Sequence, residues 1–206
     1  MYLTGSWGNP TVRPYLDAGT LGVLATPNVG NYRDPSWTWA ADSGCFNRET
    51  YKGDDAYVAW LAAQDRTRCL FATAPDVVGD WDATAAFAVD WLPRLRGLGY
   101  PAAVVLQDGA TVDTVPWDDC DWVFVGGTDG FKLGGCDALI VEAQRRGKRV
   151  HVGRVNSGRR YQRFAQMGID SADGTYLAFG PDVLLPNVLS WVRKAQTHMT
   201  LWSVTA

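Results

Sequence analysis

Short apolar runs recur along the whole chain, and each ends in a polar or turn-forming residue. The runs are continuously apolar rather than apolar at every second position, which is typical of strands buried on both faces, as in a parallel sheet. Eight such runs predict eight strands, at residues 2–6, 21–27, 38–44, 69–78, 102–109, 122–128, 149–156 and 168–175.

Helical patterns separate several of these runs. Residues 54–65 begin with two aspartates, which suit a helix N-terminus. Residues 82–98 carry an apolar stripe at helical spacing, and Pro93 within them predicts a kink or a break. Further helices are predicted at residues 135–146 and 157–167, each followed by glycine, and at 182–196.

Eight strands that alternate with helices predict an α/β fold, a compact (β/α)8 TIM barrel in a single domain over residues 1–206. The chain is short for this fold, so some helices must be shortened. Segment 27–37 is too rich in polar and turn residues for a helix. An open, doubly wound parallel sheet is the alternative.

Composition and charge narrow the classes of protein. A hydrophobic fraction of 47% supports a substantial core, and the net charge of −3 argues against a basic nucleic-acid binder as a whole. Eight of the nineteen basic residues nevertheless lie within residues 145–163, which contain no acid. Arg154, Arg159 and Arg160 of this run lie at or just after the end of a predicted strand, and we expect them to contact phosphates.

The four cysteines form no CxxC pair and the chain has two histidines, so no metal site is predicted. No signal peptide or run of 18 apolar residues is present, so we expect a cytoplasmic protein with no membrane partner. His151, in the middle of a predicted strand, is expected to be a core histidine, and Cys45 a small residue that lines a pocket.

Two acidic segments, ADSGCF (41–46) and DSADGT (170–175), each place an aspartate after an apolar run, at the carboxyl end of a predicted strand. In a barrel of parallel strands this position faces the mouth of the active site. Two carboxylates there can act as nucleophile and as general acid/base. Asp42 and Asp173 are therefore the candidate catalytic residues.

Other residues at the predicted strand ends can recognise a purine-like base. Asp76 can accept hydrogen bonds from ring N–H and exocyclic NH2 groups, and Gln107 can donate and accept. Gly126–Gly127 allows backbone amides to approach a flat ligand closely. Phe46 offers a ring on which a base can stack.

With these motifs the chain resembles the tRNA-guanine transglycosylases. It is more similar to their DNA-modifying relatives, which install 7-deazaguanine derivatives in phage and bacterial DNA. The resemblance covers about residues 38–176 and rests on the motifs ADSGCF (41–46), ATAPDVV (72–78), VVLQDG (104–109), FVGGTDG (124–130) and GIDSADGT (168–175).

The resemblance implies a role for each motif. Asp42 is the general acid/base, Phe46 the stacking ring, Asp76 and Gln107 the base-reading pair, Gly126–Gly127 the substrate loop and Asp173 the nucleophile. It further implies exchange of guanine in DNA for a 7-deazaguanine base, such as the 7-cyano form, without a cofactor. The protein would then work in the host cytoplasm if a phage encodes it.

The sequence also departs from the tRNA enzymes. It is far shorter, it lacks their Cys/His zinc subdomain, and Gly174-Thr175-Tyr176 stands where they have a basic Pro-Thr-Arg segment. These differences argue against a tRNA substrate, and they leave Asp170 as an alternative to Asp173 as nucleophile. The alternatives for function are a deazapurine nucleosidase or hydrolase, a tRNA-guanine transglycosylase, and a non-catalytic base-binding subunit.

Overall fold

The computed structural model describes residues 1–28 and 33–203, and the side chains up to residue 197. It contains eight parallel strands, which close into a barrel in the order of the chain. They are β1 (Tyr2–Thr4), β2 (Leu21–Ala25), β3 (Trp39–Ala41), β4 (Cys69–Thr73), β5 (Ala102–Leu106), β6 (Trp122–Val125), β7 (Arg149–Val152) and β8 (Ser171–Asp173). The predicted TIM barrel is thus confirmed, and the open sheet is wrong.

Closure depends on β1, which pairs with both of its neighbours. Tyr2 lies opposite Leu21 of β2 and opposite Ala172 of β8. All eight strands fall within the predicted runs, and each is shorter than its run, because the end of each run leaves the ladder to form the loop at the barrel mouth. Of the predicted loop 27–37, residues 29–32 lie outside the described residues.

Six α-helices surround the barrel: α1 (Arg13–Asp17), α2 (Asp54–Ala63), α3 (Trp81–Gly97), α4 (Asp137–Arg145), α5 (Gly158–Gln166) and α6 (Pro181–Ser203). The short helix α1 was not predicted. In the described part of the chain, no helix connects β2 to β3 or β5 to β6. The chain is short for a barrel of this type partly because these two connections have no helix in their described residues.

A kink or a break was predicted at Pro93; the break is wrong, because α3 continues through this residue to Gly97, and the kink stays a prediction. A proline inside a helix leaves the carbonyl four residues earlier without its N–H partner. That carbonyl belongs to Val89, whose side chain is 70% exposed, so this side of the helix faces water that can hydrogen-bond the carbonyl.

The interior of the barrel is filled by a compact apolar cluster, which consists of Leu3, Ala40, Phe71, Ala103, Val105, Trp122 and Phe124. The Phe71 ring lies 4.9 Å from Trp122 and 6.1 Å from Phe124, between ring centres. A second, larger apolar layer lies between the strands and the helices. This interior cluster packs directly below the carboxyl ends of the strands.

None of the helices in the described ranges is long and apolar enough to cross a membrane. Within the same ranges, no group of three or more His, Cys, Asp or Glu side chains is arranged to hold a metal ion.

Replacing Phe71 by alanine should lower the free energy of unfolding by about 3–5 kcal/mol, because the fully buried ring leaves a cavity that rigid strands cannot close. Urea unfolding followed by circular dichroism measures the change. Phe87→Ala is the matched control, since that ring on α3 is 43% exposed and its loss should cost much less. Equal losses for the two variants would contradict this account of the interior.

Candidate functional site

On five strands, the residue two positions after a packed, inward-facing residue lies at the barrel mouth, and four of these five residues are polar. Side chains alternate between faces of a strand, so residues two apart share a face. Counting two residues on from the packed positions Ala40, Phe71, Val105, Phe124 and Ser171 leads to Asp42, Thr73, Gln107, Gly126 and Asp173. The same alternation that fills the barrel therefore directs these residues into one space.

That space is a cavity of about 250 Å³ at the carboxyl end of the barrel. It brings together eight of the ten predicted site residues, namely Asp42, Phe46, Asp76, Gln107, Gly126, Gly127, Arg154 and Asp173. Arg159 and Arg160 do not line it. Leu24, Val78, Val105 and Phe124 add apolar surface to the walls.

Asp42 has the environment of a proton-transferring group. Its Oδ1 accepts hydrogen bonds from the Gly44 amide at 3.1 Å and from the Thr73 hydroxyl at 3.5 Å. Burial raises the pKa of Asp42 to about 6, and the nearby charges of Asp76 and Asp173 act in the same direction. A carboxyl group that titrates close to neutral pH can both donate and accept a proton.

Asp173 is held from below by His151, which is fully buried. The His151 Nε2 lies 3.0 Å from the Asp173 Oδ1, and Nδ1 lies 2.8 Å from the Ser171 hydroxyl. Burial lowers the pKa of His151 despite the adjacent carboxylate, so the neutral ring donates from Nε2 to Asp173 and accepts from Ser171. This arrangement fixes Oδ1 and leaves Oδ2 without a hydrogen-bond partner in the described part of the chain.

His151 is therefore a core histidine with both nitrogens partnered, as expected, and it also orients a candidate nucleophile. Its ring lies between Phe71 and Phe124, with centroid distances of 5.0 and 4.5 Å.

Asp170, the alternative nucleophile, lies at the other end of the barrel. Its Oδ2 accepts a hydrogen bond from the Val150 amide at 2.8 Å, and its carbonyl accepts one from the Met1 ammonium at 2.8 Å. Asp170 directly precedes β8, whereas Asp173 ends it. Only Asp173 reaches the cavity, and the contacts of Asp170 tie the start of β8 to β7 and to the chain terminus.

Asp76 and Gln107 form a pair whose hydrogen-bonding capacity is partly used. Gln107 Nε2 donates to Asp76 Oδ2 at 2.6 Å, and its Oε1 accepts from the amides of Gly79 and Gly127, each at 2.9 Å. The amide oxygen is therefore saturated, and Gln107 can offer a ligand only its second N–H. Asp76 carries most of the acceptor capacity, and burial raises its pKa.

Cys45 supports Asp76 from the side. Its Sγ donates to Asp76 Oδ1 at 3.2 Å and accepts from the Asp76 amide, also over a short distance of 3.3 Å. Burial raises the pKa of the Cys45 thiol to about 12, so the sulfur remains a protonated donor and not a nucleophile.

Gly126 and Gly127 both stand where no side chain fits. A Cβ at Gly126 would come within 2.7 Å of Gln107 Nε2, so a side chain would displace the amide. Gly127 has a φ of +69°, and a Cβ there would approach the Phe131 ring to 2.5 Å. The loop after β6 is thus held close to the cavity by its lack of side chains.

Phe46 and Arg154 meet across the mouth of the cavity. The Phe46 ring is 60% exposed, and the Arg154 guanidinium lies 5.0 Å from its centre. Arg154 also donates to the Gly127 carbonyl. The contact joins the loops after β3, β6 and β7 around one opening.

The basic run 145–163 does not form one patch, because β7 passes through the middle of it and carries its two halves to opposite ends of the barrel. Arg146, Lys148 and Arg149 border a groove at the amino ends of the strands. Arg154, Arg159 and Arg160 lie at the carboxyl end, where Arg160 pairs with Asp129 at 2.8 Å. The number of basic residues in the run therefore overestimates the positive charge beside the cavity.

Thr73 and Lys132 are among the residues near the site that were not predicted. Thr73 lies on the inward face of β4, and an extension of the strand alternation by two residues would have found it. Lys132, in the short helical segment Phe131–Gly135 after β6, is almost fully buried, since only 2% of its surface is exposed. No sequence signal distinguishes it from a surface lysine.

Replacing Gly127 by alanine should destabilise the protein by about 2–4 kcal/mol, because it combines a left-handed backbone with a collision against Phe131. Gly130→Ala is the matched control in the same loop, since its φ is −62° and a Cβ would meet nothing closer than 3.6 Å. Urea unfolding of both variants provides the measurement, and equal stability of the two would contradict the assigned role of Gly127.

Asp42→Asn should stabilise the folded protein above pH 6. Because the pKa of Asp42 rises to about 6 from the usual 3.8, folding favours the protonated form, and wild-type stability is lost as the pH rises between these values. The variant keeps a neutral group throughout. Its advantage in unfolding free energy should be below about 1 kcal/mol at pH 4 and reach roughly 3 kcal/mol at pH 7. A constant difference across this range would contradict the assignment.

Comparison with models of protein families and with curated proteins found no match. Solved structures do match. Tryptophan synthase from M. tuberculosis, in a ligand-free form with a mutation in TrpA, is 15% identical over 94% of this chain and 89% of that chain, with a TM-score of 0.55. Its aminoacrylate- and BRD0059-bound form is 15% identical over 94% and 88%, with a TM-score of 0.53. At this identity the likeness shows the α/β barrel fold alone.

Proposed function

We propose that the protein is a glycosyltransferase of the DNA-guanine transglycosylase type, which replaces guanine in DNA by a 7-deazaguanine base. The observation that carries the proposal is the convergence of eight predicted residues on one cavity. Within it, two carboxylates lie in different environments, one held by a buried histidine and one with a pKa of about 6. Such a difference is what separates a nucleophile from an acid/base.

The first half of the reaction breaks the bond to guanine. Asp173 Oδ2 attacks C1′ of the deoxyribose and forms a C1′–O bond, while the bond from C1′ to guanine N9 breaks. Its electron pair goes to the purine, and Asp42 supplies a proton to the leaving base. The hydrogen bond from His151 to Oδ1 keeps the attacking carboxylate in one orientation.

The second half restores the enzyme. The incoming 7-deazaguanine, for example the 7-cyano form, loses its N9 proton to Asp42, and N9 attacks C1′ from the same side. The C1′–O bond breaks and Asp173 is released as a carboxylate. Two displacements at one carbon retain its configuration, as in retaining glycosidases, with a base in place of water. No redox change occurs, and the proton that Asp42 gives to guanine is replaced by the proton that it takes from the incoming base.

The other residues that line the cavity recognise the base. Asp76 accepts from the ring N–H and exocyclic amine of guanine or its deaza analogue, and the second N–H of Gln107 donates to the carbonyl oxygen. Phe46 stacks on the ring. The cavity, at about 250 Å³, is slightly smaller than the usual range for ligand pockets, which suits a single base that has left the duplex stack.

The decisive experiment offers radiolabelled guanine and 7-cyano-7-deazaguanine to the protein together with duplex DNA, single-stranded DNA, tRNA or free deoxyguanosine. We expect label in DNA. Release of free base without incorporation would instead identify a nucleosidase, incorporation only into tRNA would identify a tRNA enzyme, and no reaction with any substrate would contradict the proposal.

Variants assign the carboxylates. Asp173→Asn should abolish incorporation, with a loss of roughly 10³-fold or more, and should prevent a covalent DNA adduct seen by mass spectrometry when no acceptor base is present. Asp42→Asn should slow exchange by about 10²–10⁴-fold. Asp170→Asn is the control, because that side chain lies away from the cavity. Retained exchange in Asp173→Asn would refute the assignment.

A further inference from the structure

Lys132 is a buried cation without a partner. Only 2% of its surface is exposed, and its Nζ has no hydrogen-bond partner in the described part of the chain. An ammonium group taken out of water without compensation costs several kcal/mol, so an unpaired buried lysine requires an explanation.

The charged groups around Lys132 do not neutralise it. Four charged groups face it, namely Arg154 after β7, Asp173 at the end of β8, Asp129 in its own loop and Arg160 on α5. The ring of His151 on β7 is also nearby and is neutral. Asp129 is paired with Arg160 at 2.8 Å, and Asp173 is bonded through Oδ1 to His151 at 3.0 Å, which leaves Oδ2 open toward the cavity. Among the described residues, no carboxylate lies within ion-pair distance of the lysine Nζ.

Arg154 is in a similar position at the edge of the cavity. Within the described ranges it has no carboxylate within ion-pair distance, and it donates only to the Gly127 carbonyl. Its φ of 58° lies in the left-handed region, which costs a non-glycine residue about 1–2 kcal/mol. The backbone is thus held in an unfavourable conformation that keeps a guanidinium without an ion-pair partner beside the cavity.

Two cations that repel each other, and that have no carboxylate within ion-pair distance in the described part of the chain, form a site for an anion. We propose that Lys132 and Arg154 together bind a phosphate group of the nucleotide whose base occupies the cavity. This inference rests on the proposed function and adds to it a buried residue that fixes the sugar–phosphate backbone. Arg154, which is only partly buried, meets the anion first.

The phosphate belongs to a polynucleotide strand. A flipped nucleotide carries a phosphodiester on each side of its sugar, so when C1′ lies at Asp173 a phosphate lies within a few ångströms. Lys132 follows Phe131, whose ring packs against Gly127, and Arg154 donates to the Gly127 carbonyl and lines the same cavity. Phosphate contacts of this kind position a substrate without reading its sequence.

The test measures anion binding and needs no base exchange. Inorganic phosphate, compared with chloride at equal ionic strength, should raise the melting temperature of the wild-type protein. A trinucleotide with an abasic central residue should bind with a dissociation constant at least tenfold lower for wild type than for Lys132→Met. Lys148→Met is the matched control, because Lys148 donates to the Cys120 carbonyl at the opposite end of the barrel. It should keep both responses.

The stability of Lys132→Met separates binding from structure. Removal of an uncompensated buried charge should leave the melting temperature in chloride equal to or above that of wild type, whereas a structural lysine would lower it. If Lys132→Met does not fold, Lys132→Gln and a pH series on wild type replace it. Burial and Arg154 lower the pKa of Lys132 to about 8, so binding of sulfate, whose charge is constant in this range, should weaken above that pH.

Failure of this inference is distinguishable from failure of the proposed function. No effect of phosphate on wild type, or an equal effect on Lys132→Met, would overturn the phosphate site even if base exchange were found. Binding of phosphate through Lys132 without any base exchange would uphold the site and refute the function. Binding of deoxyguanosine 5′-monophosphate but not of the abasic trinucleotide would overturn the assignment to a polynucleotide.

Discussion

The architecture depends on filling the interior of a closed eight-stranded barrel. Parallel pairing around the whole circle leaves no free edge, but it encloses a space that only inward side chains can occupy. Large rings from β4 and β6, those of Phe71, Trp122 and Phe124, lie against small residues such as Ala40 and Ala103. Because this packing is dense, the strands are rigid to their carboxyl ends. The polar residues two positions further along each strand are therefore held in fixed positions. His151 belongs to the same interior and extends that rigidity to Asp173 through a hydrogen bond.

Much of the fold was predictable from the sequence because burial on both faces leaves a strong signal. Continuous apolar runs located all eight strands, and their number led to the barrel. The candidate site was accessible for a related reason: a polar residue two positions after a packed one, as in Asp42 after Ala40 or Gln107 after Val105, must face the mouth. The exact ends of the strands were not accessible, since the apolar runs continue into loops that wall the cavity.

Other features depend on three-dimensional proximity, which local sequence does not encode. The run 145–163 has one charge sign in sequence, yet a strand four residues long sends its halves to opposite ends of the barrel. The partnership of His151 with Asp173 joins residues on neighbouring strands. The burial of Lys132 arises from how the loop after β6 folds against its surroundings, and a lysine in a polar loop normally implies exposure.

The contact between Phe46 and Arg154 links two events at the cavity mouth. One face of the ring is occupied by the guanidinium. A flat ligand that stacks on that face must displace the cation, and a cation drawn away by an anion frees the face for stacking. Each ligand then lowers the cost of binding the other, which is positive cooperativity carried by a single shared surface. Such coupling would make the affinity for a base depend on whether it arrives attached to a backbone, so that the free base and the base within a strand are distinguished before any bond is broken.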